Sequence, residues 1–105
     1  MRVVIDDSAL DGIKEFYRAS MTEHITLSEQ IVAEKVNRLF DEINQLGIFP
    51  GKYPKARHIR RWMQQGCRDF VFEDLHVAYK VVRLQETGEQ IVYVIDVCHS
   101  LLYHD

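Results

Sequence analysis

The spacing of the apolar residues changes once along this chain, from steps of three and four to strict alternation. The first spacing predicts two amphipathic helices, over about 8–21 and from Thr26 to Leu46. The second spacing predicts strands, because side chains on a strand point alternately to its two faces. The predicted strands are 68–73, 76–85 and 90–98.

The connections between these segments are short, and their lengths set the order of the elements. The few residues between the two helices allow only a helical hairpin. Glu86–Glu89 is a hairpin loop between the last two strands, with Gly88 available for a positive φ. Three consecutive strands joined by short turns form an antiparallel meander, and the β-branched run 2–6 predicts a further strand. The predicted fold class is therefore α+β in the order β-α-α-β-β-β, an antiparallel sheet with a helical hairpin packed on one face.

Three local signals refine this prediction. Ser8, followed three residues later by an aspartate, is a capping-box pattern at the start of the first helix. Gly47 suits the left-handed position just past the second helix, and Ile48 can supply the contact that accompanies it. On the last strand, alternation places Ile95 and Val97 on the same face.

The composition is that of one globular domain. The chain has 105 residues, 47% of them apolar, which is enough to fill a single core. No apolar run approaches the ~20 residues that a membrane span needs, and the N-terminal segment MRVVIDD lacks the features of a signal peptide. Cys67 and Cys98 are therefore expected to be reduced thiols of a cytoplasmic protein.

The charge is distributed unevenly, although the formal net charge is only −3. From Gly47 to Arg68 there is no acidic residue, and this window carries six of the thirteen basic residues. The six are Lys52, Lys55, Arg57, Arg60, Arg61 and Arg68. Such a segment is either solvated surface or a cationic face for an anionic partner, and the absence of acids favours the partner.

Other residues of this region and of the last strand have two roles open to them. Phe49, Tyr53 and Trp62 could stack on bases, although a place in the core where the hairpin meets the sheet is favoured. Asp96 lies within an apolar strand, where a structural ion pair is favoured over catalysis. The histidines and cysteines lack the short spacing of zinc motifs, so neither a metal nor another cofactor is expected.

Three stretches of the sequence resemble the RelE/ParE superfamily of toxins. Residues 46–60 (LGIFPGKYPKARHIR) are similar to the family's Pro/Gly linker and basic strand, 76–83 (HVAYKVVR) to its next strand, and 91–99 (IVYVIDVCH) to its last strand. The resemblance covers nearly the whole chain and implies the family's fold. It also implies the toxin role in a type II toxin–antitoxin (plasmid stabilisation) system. The implied partners are a cognate antitoxin protein and either mRNA on the ribosome or DNA gyrase. No membrane partner is implied, and whether the chain forms a homodimer is left open.

Metal-independent cleavage of mRNA is the commoner activity that the resemblance implies. The reaction needs a base for the 2′-OH proton, an acid for the leaving oxygen and cations for the charge that develops on phosphorus. The residues implied for catalysis are Arg60, Arg68, Lys80, His99 and Tyr103. Those implied for nucleic-acid binding are Lys52, Lys55, Arg57 and Arg61. The basic strand around 55–61 and the chain end at 99–104 would then converge on one face of the sheet.

Two departures from the family pattern weaken the nuclease interpretation. Arginine commonly follows the family's histidine, where Ser100, Leu101 and Leu102 stand here. The strand position often held by arginine carries Lys80, which offers a phosphate a point charge in place of a two-pronged fork. Gyrase inhibition and a non-catalytic family member that only binds a protein partner are therefore the alternatives.

Overall fold

The computed structural model describes residues 1–23 and 29–99. Within these ranges the chain is a small α+β fold of four strands and three helices. The elements are β1 (Arg2–Ile5), α1 (Asp7–Glu23), α2 (Glu29–Gln45), α3 (Arg60–Gln64), β2 (Arg68–Phe72), β3 (Leu75–Arg83) and β4 (Gln90–His99). The predicted order of strands and long helices is confirmed, and α3 is added before β2. The predicted helix start at Thr26 lies outside the described residues.

The sheet has the strand order β1-β4-β3-β2 and is mixed. The predicted meander is confirmed, because β2 with β3 and β3 with β4 pair antiparallel, and Gly88 in its second turn has a φ of 72°. β1 pairs parallel to β4, with Val3 opposite Val92, so the prediction of an all-antiparallel sheet is wrong. Short turns force antiparallel pairing only within the meander, whereas both long helices separate β1 from it.

The two long helices cover one face of the sheet and form the main core with it, as predicted. Leu39 of α2 is fully buried in the same cluster as Val77 and Tyr79 of β3. The approach of α1 to β4 is close, since a Cβ on Gly12 would lie 2.0 Å from the backbone oxygen of Val97. Only a residue without a side chain fits at this crossing.

A bulge in β4 divides its side chains between the two faces of the sheet. The pairing of β3 with β4 shifts register between Ala78 and Tyr79, which leaves Ile95 as the extra residue. Val97 therefore packs in the main core, while Ile95 packs on the opposite face. The prediction that these two residues share a face is wrong, because one inserted residue inverts the alternation.

The ends of the long helices also differ from the local predictions. Asp6 caps α1 in place of Ser8: the Ser8 backbone N–H donates to Asp6 Oδ2 at 3.1 Å, because α1 begins directly after β1. Gly47 does not have a positive φ, and a side chain there would meet the backbone oxygen of Met1 at 2.4 Å. Ile48 is 73% exposed, so the contact expected of it is not made.

The basic segment crosses to the sheet face opposite the long helices and forms a second, smaller core there. The strand implied around 55–61 is replaced by α3 and by an isolated bridge between Lys55 and Arg68. Ile59 and Trp62 are each 1% exposed. Ile59 is the N-cap residue in an extended conformation and Trp62 lies in α3, and the turn of the chain between them brings both side chains into this core.

The three aromatic residues of this segment have different environments. Tyr53 stacks on Phe70 in the main core, with ring centroids 4.5 Å apart, and Trp62 fills the second core. Both are therefore core residues, although Trp62 lies on the sheet face away from the hairpin. Phe49 is 67% exposed, so the prediction that it closes the core is wrong.

Candidate functional site

The helix α3 is held on the sheet by packing. It has only five residues, and Ile59 at its N-cap makes no side-chain capping hydrogen bond. Trp62, the largest fully buried side chain, anchors the helix against Ala78, with Ile95 and Cys98 alongside. The position of every exposed side chain on α3 therefore depends on how Trp62 packs.

Asp96 joins α3 to β4 through two hydrogen bonds to one carboxylate oxygen. Arg61 Nη2 donates to Asp96 Oδ2 at 3.0 Å, and Trp62 Nε1 donates to the same oxygen at 3.2 Å. The Arg61 guanidinium lies 5.5 Å from the centre of the Trp62 ring, within cation–π range. Asp96 thus has the structural ion pair that the sequence favoured, and it satisfies the indole N–H of a buried tryptophan.

A cleft of about 360 Å³ opens where α3 meets the start of α1 and the middle of β3 and β4. Its lining combines two carboxylates, two cations, a phenol and an amide. These side chains are Asp6, Arg61, Gln65, Lys80, Tyr93 and Asp96. The cleft lies on the sheet face that the helical hairpin leaves uncovered, beside the second core.

Asp6 and Tyr93 form a hydrogen-bonded pair in this cleft. The Tyr93 hydroxyl donates to Asp6 Oδ1, and the Ser8 hydroxyl lies 2.7 Å from Asp6 Oδ2. The bond from Tyr93 and then the bonds from Ser8 lower the pKa of Asp6, while the bond to the carboxylate raises the pKa of Tyr93. Near neutral pH Asp6 is therefore an anion and Tyr93 a protonated donor.

Among the described residues, Lys80 is the cation of the cleft that makes no ion pair. It is half-buried on β3 and lies opposite Tyr93 on β4. The two carboxylates that share the cleft with it bond to other groups: Asp96 to α3, and Asp6 to Tyr93 and Ser8. A half-buried ammonium without a carboxylate partner is suited to hold an anion from outside.

The structure distributes the other predicted cations over different surfaces. Arg60 is exposed on α3 next to Arg61, and Arg57 is exposed just before it. Arg68 is on the hairpin face, where Nη1 donates to the Tyr53 carbonyl at 2.6 Å. The structure therefore brings Arg61 and Lys80 together in the cleft, with Arg60 next to Arg61 on α3, and it does not bring Arg68 there.

The two remaining lysines are held away from the cleft. Lys52 Nζ lies 3.6 Å from Glu42 Oε2 and 5.2 Å from the centre of the Tyr53 ring. Lys55 Nζ donates to the Gly66 carbonyl at 3.4 Å. Both are exposed and could contact an extended partner without entering the cleft.

The described histidines His76 and His99 lie at the end of the sheet away from Lys80, with His58 nearby. His99 lies opposite Leu75, and Lys80 is five residues further along β3, which separates the two positions by roughly 16 Å at ~3.3 Å per residue. Burial lowers the pKa of His76; Asp69 opposes this, and nearby His99 and His58 add to it. His99 lies opposite the main-core residue Leu75 and two residues after Val97, so it is on the hairpin face, whereas His58 and His76 are near each other on the face of the basic segment. The expected convergence of the basic segment with the chain end on one face is therefore not seen at His99. Tyr103 and Ser100–Leu102 lie outside the described residues.

Sequence reasoning missed Asp6, Gln65 and Tyr93 as members of a site. Asp6 and Tyr93 are 87 positions apart, and they meet because β1 lies parallel beside β4. The sequence carries no signal for that pairing. An aspartate just after a short strand and a tyrosine within an apolar one are each ordinary in isolation.

The part of the chain that the structure describes contains neither a cluster of metal-ligand side chains nor a membrane-spanning helix. Residues 1–23 and 29–99 contain no group of three or more histidine, cysteine, aspartate or glutamate side chains that could hold a metal ion. None of the helices within those ranges is long and apolar enough to cross a membrane. Cys67 is buried and Cys98 half-buried, and both are free thiols.

No protein-family model matches this chain, and no curated protein matches it.

Proposed function

We propose that this chain is the toxin of a type II toxin–antitoxin pair of the RelE/ParE superfamily, and that it acts on mRNA at the ribosome. One observation carries the proposal: α3 and Lys80 place cations around a cleft on the sheet face that the helical hairpin leaves open. The order of strands and long helices agrees with the order that the sequence resemblance implies.

The charge of this face favours a polyanion as the target. Arg57 and Arg60 are exposed just before and within α3, and no acid lies between Gly47 and Arg68 in the sequence. Phosphates bound here would release counterions, and that release is the main source of affinity for nucleic acids. The cleft itself is lined by Asp6 and Asp96 as well as by Arg61 and Lys80, so the positive charge offered to a polyanion comes mainly from the exposed arginines of the basic segment.

The groups that RNA cleavage needs lie in two separate places. The cations that would hold phosphate charge are at the cleft, and the imidazoles that would move protons are near the end of β4. An RNA strand laid along the segment from His58 to Arg61 would pass both groups. Their separation also favours a second candidate, in which the chain captures its partner on the same surface without cleaving RNA.

Induced expression in a bacterium tests the toxin proposal. We expect growth arrest that is relieved when the product of a small adjoining gene, the candidate antitoxin, is expressed with it. Fragmented mRNA during arrest would support ribosome-dependent cleavage, whereas intact mRNA with loss of DNA supercoiling would identify gyrase as the target. Normal growth with abundant folded protein would overturn the toxin proposal and leave the non-cleaving binder.

The basic face gives a second prediction, which needs no growth assay. We expect Arg57→Ala combined with Arg60→Ala to weaken binding to a single-stranded RNA oligonucleotide without affecting folding. Because each lost phosphate contact on a single strand lowers the slope of log affinity against log salt by ~0.7, the double variant should lower that slope by about 1.4.

A matched variant controls for the loss of net charge. Lys14→Ala combined with Arg18→Ala removes two exposed cations from α1 and should leave the slope unchanged. Equal effects of the two double variants would mean that RNA senses only the total charge, and the basic face would then not be the binding surface.

A further inference from the structure

We infer that the cleft between α3 and β4 binds one nucleoside monophosphate unit, with its phosphate between Lys80 and Arg61 and its base against the Tyr93 ring. The unit could be a free nucleotide or one residue of an RNA strand. The inference rests on the proposed function only in taking RNA as the source; the binding chemistry stands on the cleft itself.

The hydrogen bonds in the cleft show that its carboxylates already have partners within the protein. Asp6 accepts hydrogen bonds from Tyr93 and from Ser8. It also sits at the start of the 17-residue helix α1, where the exposed N–H groups of the first turn stabilise a negative charge. Asp96 is paired with Arg61. Both carboxylates are therefore satisfied within the protein, and neither needs a cation from a ligand.

The cations of the cleft are less well satisfied than the acids. Lys80 makes no ion pair in the described part of the chain, and its half-buried position removes part of the water that would otherwise solvate it. Arg61 uses Nη2 to bind Asp96, and its side chain is 51% exposed. The remaining N–H groups of its guanidinium are available to a ligand oxygen, since a guanidinium carries five donors.

The size and walls of the cleft select the class of anion. A volume of about 360 Å³ is near the lower end of the ~300–1,000 Å³ range of small-molecule sites, so one nucleotide fits better than two. Tyr93 offers an aromatic surface on which a base can stack. Gln65 adds an amide that can both donate to and accept from a base edge.

The Asp6–Tyr93 bond fixes the orientation of the ring that would stack. Because the Tyr93 hydroxyl is held by the carboxylate of Asp6, just after the neighbouring strand β1, the phenol is anchored at its far end. Tyr93→Phe keeps the ring and frees Asp6, whereas Tyr93→Leu removes the stacking surface altogether. The two substitutions therefore separate positioning from stacking.

Calorimetric titration of the purified full chain with adenosine 5′-monophosphate, adenosine and inorganic phosphate tests the inference. We expect the monophosphate to bind more tightly than either fragment. Lys80→Ala removes a charge-assisted hydrogen bond and should weaken binding of the monophosphate about tenfold or more. Lys80→Arg should restore most of that affinity. Lys14→Ala removes the same charge from α1, outside the cleft, and should leave affinity within about twofold. Tyr93→Phe keeps the ring but frees it from Asp6, and it should weaken binding less than Tyr93→Leu does.

The outcomes separate this inference from the proposed function. Equal affinity for the monophosphate and inorganic phosphate would eliminate a base subsite, and equal loss in Lys80→Ala and Lys14→Ala would eliminate the cleft as the phosphate site. Either result overturns the inference even if induction still arrests growth. Cleft-dependent binding of the monophosphate in a chain that does not arrest growth would uphold the inference and refute the toxin proposal.

Discussion

Gly12→Ala should lower the free energy of unfolding by about 3 kcal/mol, the upper part of the range for overpacking a core. The added Cβ would lie 2.0 Å from the backbone oxygen of Val97 and 3.0 Å from its carbonyl carbon. Neither atom can swing away as a side chain would, because Val97 is paired with Val77 inside the sheet. α1 would have to lift off β4, and the main core would open with it.

Helix propensity acts in the opposite direction and is the smaller effect. Alanine is favoured over glycine within a helix by ~1 kcal/mol, so a helix free of the sheet would gain stability from the change. Chemical denaturation with an unchanged m-value would measure the net loss. Gly51→Ala is the matched control, since a Cβ there meets nothing within 4 Å. Stability of Gly12→Ala equal to that of the control would contradict the close crossing of α1 and β4.

Trp62→Ala should be the most damaging substitution on the other face of the sheet, at about 3–5 kcal/mol for a large buried aromatic. Trp62 is 1% exposed and anchors a five-residue helix that has no side-chain cap. Its removal also takes away one of the two donors to Asp96. We therefore expect α3 to detach, and the cleft to lose Arg61 and Gln65 from its wall.

Two measurements distinguish this local effect from a general loss of stability. Denaturation gives the free energy of unfolding, and hydrogen exchange at the amides of 56–67 reports detachment of α3 under native conditions. Met63→Ala changes the neighbouring residue, which is 50% exposed, and should alter both by little. If Trp62→Ala left exchange at 56–67 as slow as in the unchanged chain, the second core would not be what holds α3.

The two spacings of the apolar residues, steps of three and four and then strict alternation, were sufficient to predict most of the helices and strands. The long helices and the meander follow from patterns within single segments, and the positive φ of Gly88 follows from the length of one loop. These features depend on neighbours in the sequence. Local backbone geometry and the burial of one face therefore determine them before any distant segment packs.

Local patterns failed where a distant backbone decides the environment. Gly47 was predicted as a left-handed helix end, yet its constraint is the backbone of Met1. The bulge at Ile95 inverted the faces of the strand end. The strand implied around 55–61 became α3, since Ile59 and Trp62 must both reach the second core.

For the candidate site, too, some features could be predicted from the sequence and others only from the tertiary structure. The sequence by itself determined that a basic, acid-free segment follows the second long helix, and that Asp96 needs a partner within an apolar strand. Only the tertiary structure decided that this segment folds onto the face away from the hairpin, and that Asp6 meets Tyr93 beside Lys80. The parallel pairing of β1 with β4 brings those residues together. No short turn joins β1 to β4. Their pairing therefore depends on how the two long helices, which lie between β1 and the meander in the sequence, pack on the sheet.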